Sequence, residues 1–217
     1  MYKMNWTAPK GHKRAVLVFD GAMSQPVVSV NGKEAGKWAY GYNAFRIDIT
    51  PFIQFGKSNL IEVHLNNVEE SSRWYPGGGL YRPVSVELYG NENFSTWDTF
   101  VRTLKADKQE AEVEVNALLD GKAGKSGKTV IALLDEAGKK VAEQTVTGAN
   151  PEIKTTLKVA NPQLWSPESP YLYQVKLTRY EGKKVADVQT MKTGIRTISV
   201  SKNNSFQLNG ITRKING

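Results

Sequence analysis

The chain has 217 residues, of which 40% are hydrophobic and 23% charged, with a formal net charge of +8. That length leaves room for one or two globular domains. The absence of Cys excludes disulfides, Cys-ligated metal sites and a Cys nucleophile, and the two histidines, His12 and His64, are too few for a metal site or a catalytic triad.

Apolar runs and period-two alternation predict five strands in the first 90 residues. They are Ala15–Asp20, Pro26–Val30, Phe45–Thr50, Leu60–Leu65 and Val84–Leu88. Asn31-Gly32 is a dipeptide that favours a tight hairpin after the second of these runs. In the last strand, Val84 and Val86 are expected to face the core and Glu87 the solvent. His64 is expected on the surface face of its strand.

A polar turn at residues 90–93 predicts a domain boundary. Beyond it, seven further short strands are predicted at intervals typical of an immunoglobulin-like sandwich, and no window shows a helical period. They are Thr99–Leu104, Ala111–Val115, Thr129–Leu134, Lys140 onward, Ile153–Val159, Leu172–Tyr180 and Val185–Met191. The predicted fold class is all-β, with two β-sandwich domains in series. The predicted divisions are 1–90, 91–197 and 198–217.

The positive charge is concentrated at the end of the chain, because residues 192–217 include Lys and Arg but neither Asp nor Glu. A nucleic-acid surface would interleave basic residues with stacking aromatic rings, and this segment has only Phe206. We therefore expect a solvated or partner-facing surface there. Neither nucleic acid nor a membrane is predicted as a partner, since no apolar run is long enough to span a bilayer.

The stretch Gly121–Thr129 resembles a phosphate-binding loop in composition. It misses the spacing G-x-x-x-x-G-K-[ST], because the positions that require the first glycine hold Leu119 or Lys122. The following residues read as a strand, whereas such a loop must open a helix. The stretch is predicted to be a turn, and no cofactor is predicted.

Carboxylates are the other candidates for chemistry, because glycoside hydrolysis needs two of them facing one bond. Glu62, Glu87, Glu112 and Glu114 alternate with apolar residues, so we expect them on solvent-facing sides of strands. No catalytic pair and no metal site are predicted.

The most informative stretch, residues 71–84, places Arg73, Trp74, Tyr75 and Arg82 around a Pro-Gly-Gly-Gly loop. Aromatic faces stack on sugars and Arg offers planar hydrogen-bond donors, so a sugar-binding loop is one interpretation. A large loop that packs against a neighbouring domain is the other. The residue types leave both open.

This loop resembles the end of the N-terminal jelly-roll domain of glycoside hydrolase family 2, the group of β-galactosidases, β-glucuronidases and β-mannosidases. Four further stretches resemble the family in the right order. They are Val27–Gly36 with its Asn-Gly hairpin, Gly41–Thr50 followed by Asn59-Leu60, Asn161–Tyr173, and Gly194–Arg196 followed by Phe206–Gly210. Together the five stretches span nearly the whole chain.

The resemblance implies a jelly roll that is incomplete at its start, then an immunoglobulin-like domain, then a lead-in to a catalytic (β/α)₈ barrel. In the family that barrel holds both catalytic glutamates, so the chain is expected to be a non-catalytic fragment with no catalytic residue of its own. The expected parent is a periplasmic or extracellular β-galactosidase that acts with retention. The expected partners are its own barrel and a β-galactoside carbohydrate.

The resemblance also implies roles for the loop. Arg73, Trp74, Tyr75 and Arg82 are expected at the domain interface or the substrate rim. Some β-galactosidases have an Asp in the comparable loop, where this chain has Ser71-Ser72, so that sugar contact is not expected. The alternative function is a free-standing carbohydrate-binding module that uses Trp74 and Tyr75. The oligomeric state is not predicted.

Overall fold

The computed structural model describes residues 1–68, 77–121 and 127–215. These residues form β-strands joined by turns and loops, and no helix among them is long and apolar enough to cross a membrane. The chain divides into two compact units, Met1–Asn91 and Glu92–Gly217. The predicted all-β class is confirmed.

The first unit is a sandwich of two antiparallel sheets. Its strands are β1 (Tyr2–Thr7), β2 (Arg14–Phe19), β3 (Val27–Val30), β4 (Lys33–Lys37), β5 (Phe45–Asp48), β6 (Ser58–His64) and β7 (Val84–Tyr89). One sheet has the order β1-β6-β3-β4 and the other has the order β5-β2-β7. Alternation creates the core, because Phe45 and Ile47 of β5 are buried while Arg46 between them points to Glu87 on β7. Asn31 and Gly32 both have positive φ, as the predicted hairpin turn needs.

Val84 is on the predicted inward side of β7, because it lines a cleft with the core residues Leu17 and Phe19, but 40% of its surface is exposed. Within the described residues no strand pairs with the outer edge of β7, so the core opens there. The opening is a cleft of about 530 Å³ between residues of β1 and β7. Val86 lines this cleft and is half-buried.

The second unit contains two larger antiparallel sheets and a small third one. Its strands are β8 (Glu92–Phe94), β9 (Phe100–Ala106), β10 (Glu110–Gly121), β11 (Gly127–Leu134), β12 (Lys140–Thr147), β13 (Glu152–Ala160), β14 (Tyr173–Glu181), β15 (Lys184–Thr193), β16 (Ile198–Val200), β17 (Phe206–Leu208) and β18 (Ile211–Thr212). In one sheet β13 lies on one side of β10, and β8 and β9 lie on the other. The facing sheet has the order β12-β11-β14-β15, and β16-β17-β18 form the third.

Glu114 lies on the predicted outward face of β10, alternating with the core residues Val113 and Val115, but it is buried there, with only 5% of its surface exposed. The reason is that cations reach it from both neighbouring strands. Arg102 Nε on β9 lies 2.8 Å from Oε1, and Lys154 Nζ on β13 lies 3.4 Å from Oε2. A hydrogen bond from Asn116, together with these cations, lowers the pKa of Glu114 below its ordinary value. Glu114 is therefore a structural carboxylate held in its charged form.

Candidate functional site

Arg82, the predicted site residue that the structure describes, belongs to one end of the first unit. We call this region the loop end and define it as residues 20–25, 38–44, 65–68 and 77–83. Arg82 is described and exposed, and it donates a long hydrogen bond of 3.4 Å to the backbone oxygen of Asp20. Its guanidinium carbon lies 5.3 Å from the ring centroid of Tyr81. Arg73, Trp74 and Tyr75 lie outside the described residues.

Backbone bonds fix the segment that presents Arg82. Met23 and Gly79 exchange two hydrogen bonds of 3.0 Å each. Gly79 has a φ of +145°, which favours glycine, and a Cβ there would lie 3.0 Å from the hydroxyl of Tyr2. Tyr81 anchors the segment from the other side, because its hydroxyl donates to the backbone oxygen of Gly41 at 2.8 Å. Arg82 thus projects from a backbone that is held on both sides.

A second set of contacts fixes two carboxamide side chains at the loop end. The Asn66 backbone N–H donates to the backbone oxygen of Ser24 at 2.9 Å, and the Ser24 hydroxyl donates to the backbone oxygen of Asn66 at 2.7 Å. The Asn66 side-chain Nδ2 then donates to Gln25 Oε1 at 3.0 Å. Gln25 itself has a positive φ of 47°. This hydrogen bond fixes the orientation of the two side-chain carboxamide groups relative to each other.

The third component of the loop end is aromatic, and its residues are not among the site residues predicted from the sequence. Trp38 stacks on Phe45 with ring centroids 5.6 Å apart, and its indole N–H donates to Asn43 Oδ1 at 2.9 Å. Tyr40 and Tyr42 follow at alternate positions, with ring centroids 5.5 Å apart. Three aromatic residues at alternate positions in a glycine-containing loop were the signal in the sequence.

Comparisons with known proteins agree with this architecture. Residues 94–196 match the model of glycosyl hydrolases family 2. A candidate β-glucuronidase of Formosa agariphila is 37% identical over 206 residues, which are 94% of this chain and 20% of that protein. A crystal structure of a family 2 member from Bacteroides cellulosilyticus aligns with a TM-score of 0.83 at 36% identity, covering 96% of this chain and 30% of that one.

The chain belongs to glycosyl hydrolase family 2. A β-galactosidase of Bacteroides ovatus is also similar, being 34% identical over 93% of this chain and 25% of its own length. The chain therefore spans about a fifth to a quarter of the length of the two curated relatives it matches here. The relatives that are similar in sequence thus include proteins named β-glucuronidase and proteins named β-galactosidase.

Several carboxylates in the described part of this family 2 chain form ion pairs, and Glu87 is one of them. Glu87 on β7 accepts hydrogen bonds from Arg46 and from the Tyr89 hydroxyl. The bond from Arg46, followed by that from Tyr89, lowers the pKa of Glu87 although partial burial opposes this change. In residues 1–68, 77–121 and 127–215, no group of three or more His, Asp or Glu residues could hold a metal ion.

The loop that resembles a phosphate-binding motif lies between β10, which ends at Gly121, and β11, which begins at Gly127. The residues between them lie outside the described part of the chain. Residues 127–134 form a strand, as predicted, so a helix N-terminus does not follow the loop. His64 is exposed at the end of β6, also as predicted.

Proposed function

We propose that this chain forms the non-catalytic β-sandwich part of a family 2 β-glycosidase, and that it supports the catalytic barrel of that enzyme. The observation that carries the proposal is the coverage of its relatives. Nearly the whole chain aligns with family 2 proteins, but it accounts for only 20% and 25% of the length of two of them. The described residues form sheets only, so they do not build a (β/α)₈ barrel.

The finer proposal is that the parent enzyme hydrolyses β-galactosides with retention of configuration. The support is the resemblance of the loop at residues 74–77 to the β-galactosidase branch, together with the similarity to the Bacteroides ovatus β-galactosidase. β-Glucuronides are the competing substrate, because other relatives bear that name. The expected periplasmic or extracellular location of the parent stays a prediction.

We further propose that the loop end borders the substrate. Arg82 is the described residue for this role, because it is exposed and its backbone segment is held by the Met23–Gly79 bridge. A guanidinium presented from a fixed backbone can donate to sugar hydroxyls, and binding then has to order the side chain but not the backbone. Arg73, Trp74 and Tyr75 are proposed to act with it.

A chimera tests both parts of the proposal. The 217-residue chain replaces the matching segment of the Bacteroides ovatus β-galactosidase, and hydrolysis of nitrophenyl β-galactoside and β-glucuronide is measured. We expect a folded enzyme that hydrolyses the galactoside, and Arg82→Ala should raise KM with a smaller change in kcat. Lys33→Ala is the matched control, because Lys33 is an exposed cation at the opposite end of β4.

The isolated chain gives the complementary measurement. Pure 217-residue protein should hydrolyse neither substrate, because the proposal gives it a supporting role only. Turnover that co-purifies with the chain through two different columns would overturn the non-catalytic assignment. A chimera that folds but is unaffected by Arg82→Ala would overturn the substrate-rim role while leaving the supporting role intact.

A further inference from the structure

A cleft of about 660 Å³ lies between the loop end and the adjoining ends of β3 and β4, wholly within the first unit. Its lining residues are Gln25, Val27, Lys37, Trp38, Ala39, Tyr40 and Asn66. We propose that this cleft is a saccharide-binding site that takes a pyranose bearing a carboxylate. The proposal goes beyond the supporting role and the substrate-rim role of Arg82 given above, because Arg82 does not line this cleft and the site needs no residue of a barrel.

A preorganised aromatic platform is the first argument. Phe19 stacks on Phe45 at 4.6 Å, and Phe45 stacks on Trp38 at 5.6 Å, with interplanar angles of 5° and 7°. Both phenylalanines are buried, whereas 39% of Trp38 is exposed. The indole is therefore fixed by a stack that begins in the core and by its hydrogen bond to Asn43. Binding would immobilise no additional ring at this position.

The chemistry of an exposed ring face selects the ligand class. The face of an aromatic ring carries negative charge density, and the C–H groups on one side of a pyranose are weakly positive. Tyr40, which is 58% exposed, adds a second ring and a hydroxyl that can donate or accept a hydrogen bond. The cleft combines ring faces with carboxamide groups, so a ligand with both C–H faces and hydroxyls can use both.

The two carboxamides supply the hydrogen bonds. Their shared bond uses the oxygen of Gln25 and one hydrogen of the Asn66 nitrogen. The nitrogen of Gln25 and the oxygen of Asn66 are the ends that this bond does not use. They provide a donor and an acceptor, which is the combination that vicinal sugar hydroxyls require.

Lys37 defines the preference within this class. It is exposed at the end of β4 and brings a positive charge to the cleft wall. A cation at a partly exposed site favours an anionic partner by a modest amount and mainly influences selection between similar ligands. A sugar acid should therefore bind more tightly than the corresponding neutral sugar.

The test uses the 217-residue chain labelled with ¹⁵N, titrated separately with digalacturonic acid and with neutral galactobiose. The indole N–H signal of Trp38 should shift saturably in the millimolar range that single exposed sites typically show, and the acid should bind more tightly. Tyr40→Ala should weaken binding of the acid about tenfold, which corresponds to ~1.4 kcal/mol. Lys37→Gln should weaken binding of the acid and leave the neutral sugar unchanged.

Trp97→Ala provides the matched control, because Trp97 is 65% exposed but belongs to the second unit, and it should leave both titrations unchanged. The Tyr40 and Lys37 variants replace exposed side chains outside the stack of rings, so both should retain the dispersed amide spectrum of the folded chain. No saturable shift with either sugar overturns the site. A shift that persists at full strength in Tyr40→Ala places binding elsewhere, and equal affinities for the two sugars overturn the carboxylate preference.

Discussion

Glu92→Gln should strongly destabilise the second unit, because it removes one charge from a buried ion pair. Glu92 and Arg179 are both at most 1% exposed. Arg179 Nε and Nη2 each donate to a carboxylate oxygen of Glu92 at 3.1 Å, a bidentate arrangement. The guanidinium also donates to Thr129 Oγ1 and to the Gly148 oxygen at 3.3 Å. The pair thus joins β8 to β14 across 87 residues of sequence.

The magnitude follows from burial. Removing one partner of a buried pair leaves the other charge without compensation, which costs about 3–5 kcal/mol of the free energy of unfolding. Glu143→Gln is the matched control, because Glu143 pairs with Lys140 at 2.9 Å while 40% and 54% of their side chains are exposed. Exposed pairs contribute about 0–1 kcal/mol. The two substitutions are chemically identical and differ in burial.

Amide hydrogen exchange along β14 measures the opening of the second unit separately from the first. Exchange there should accelerate by at least two orders of magnitude in Glu92→Gln, since each 1.4 kcal/mol is tenfold. Combining Glu92→Gln with Arg179→Met should be less harmful than the sum of the two single changes, because the second removes the orphaned charge. A loss below about 1 kcal/mol in Glu92→Gln, equal to that of the control, would refute the reasoning.

Three further predictions concern single contacts. Gly127→Ala should cost about 1–3 kcal/mol in a urea melt, because a Cβ there would lie 1.9 Å from Arg179 Nη2. Asn59→Ala should cost about 1–3 kcal/mol by the same measurement, because this 1% exposed amide bonds to two backbone oxygens and one backbone N–H. In Arg213→Gln, an NMR titration should find the pKa of Glu168 raised from about 2 toward its ordinary 4.5, because the hydrogen bond from Arg213 is lost. The native pair stabilises the fold above pH 4.5 and loses that contribution as the pH falls to about 2; an unchanged Glu168 pKa would contradict the assignment.

Local pattern was sufficient to predict most strands, because alternation reports which side of a strand faces a core. Phe45 and Ile47 were placed correctly for this reason. Local composition was misleading at residues 90–93, whose polar side chains predicted a turn. Glu92 and Asn93 lie instead in the buried strand β8, and Glu92 is balanced by Arg179. Arg179 lies 87 residues further along the chain, so nothing in the local sequence indicates that Glu92 has a partner. A local pattern therefore predicts that such a buried charged residue lies on the surface.

Glu114 illustrates the same limit in another form. Its position in an alternating strand predicted exposure, yet it is buried by cations from β9 and β13. Which strands flank β10 depends on the pairing of the whole sheet, whose registers place Glu114 opposite Arg102 on β9 and opposite Thr156 on β13. Alternation gives the face of a residue on its own strand, whereas burial of a polar residue depends on what its neighbours extend over it.

The loop end shows the difference between what residue composition predicts and what the packing of side chains determines. Composition selected residues 71–84, because Arg and aromatic residues cluster there around glycines, and Arg82 alone among the four selected residues is described. It did not select Trp38, whose importance comes from rigidity. That rigidity depends on Phe45, which reaches the ring only because β5 pairs with β2 in a register that places Phe45 opposite Phe19. An exposed tryptophan is an ordinary surface feature until something holds it. The alternating aromatic residues are visible in the sequence, but that Trp38 is a fixed platform follows only from the register of two strands, which the coordinates show.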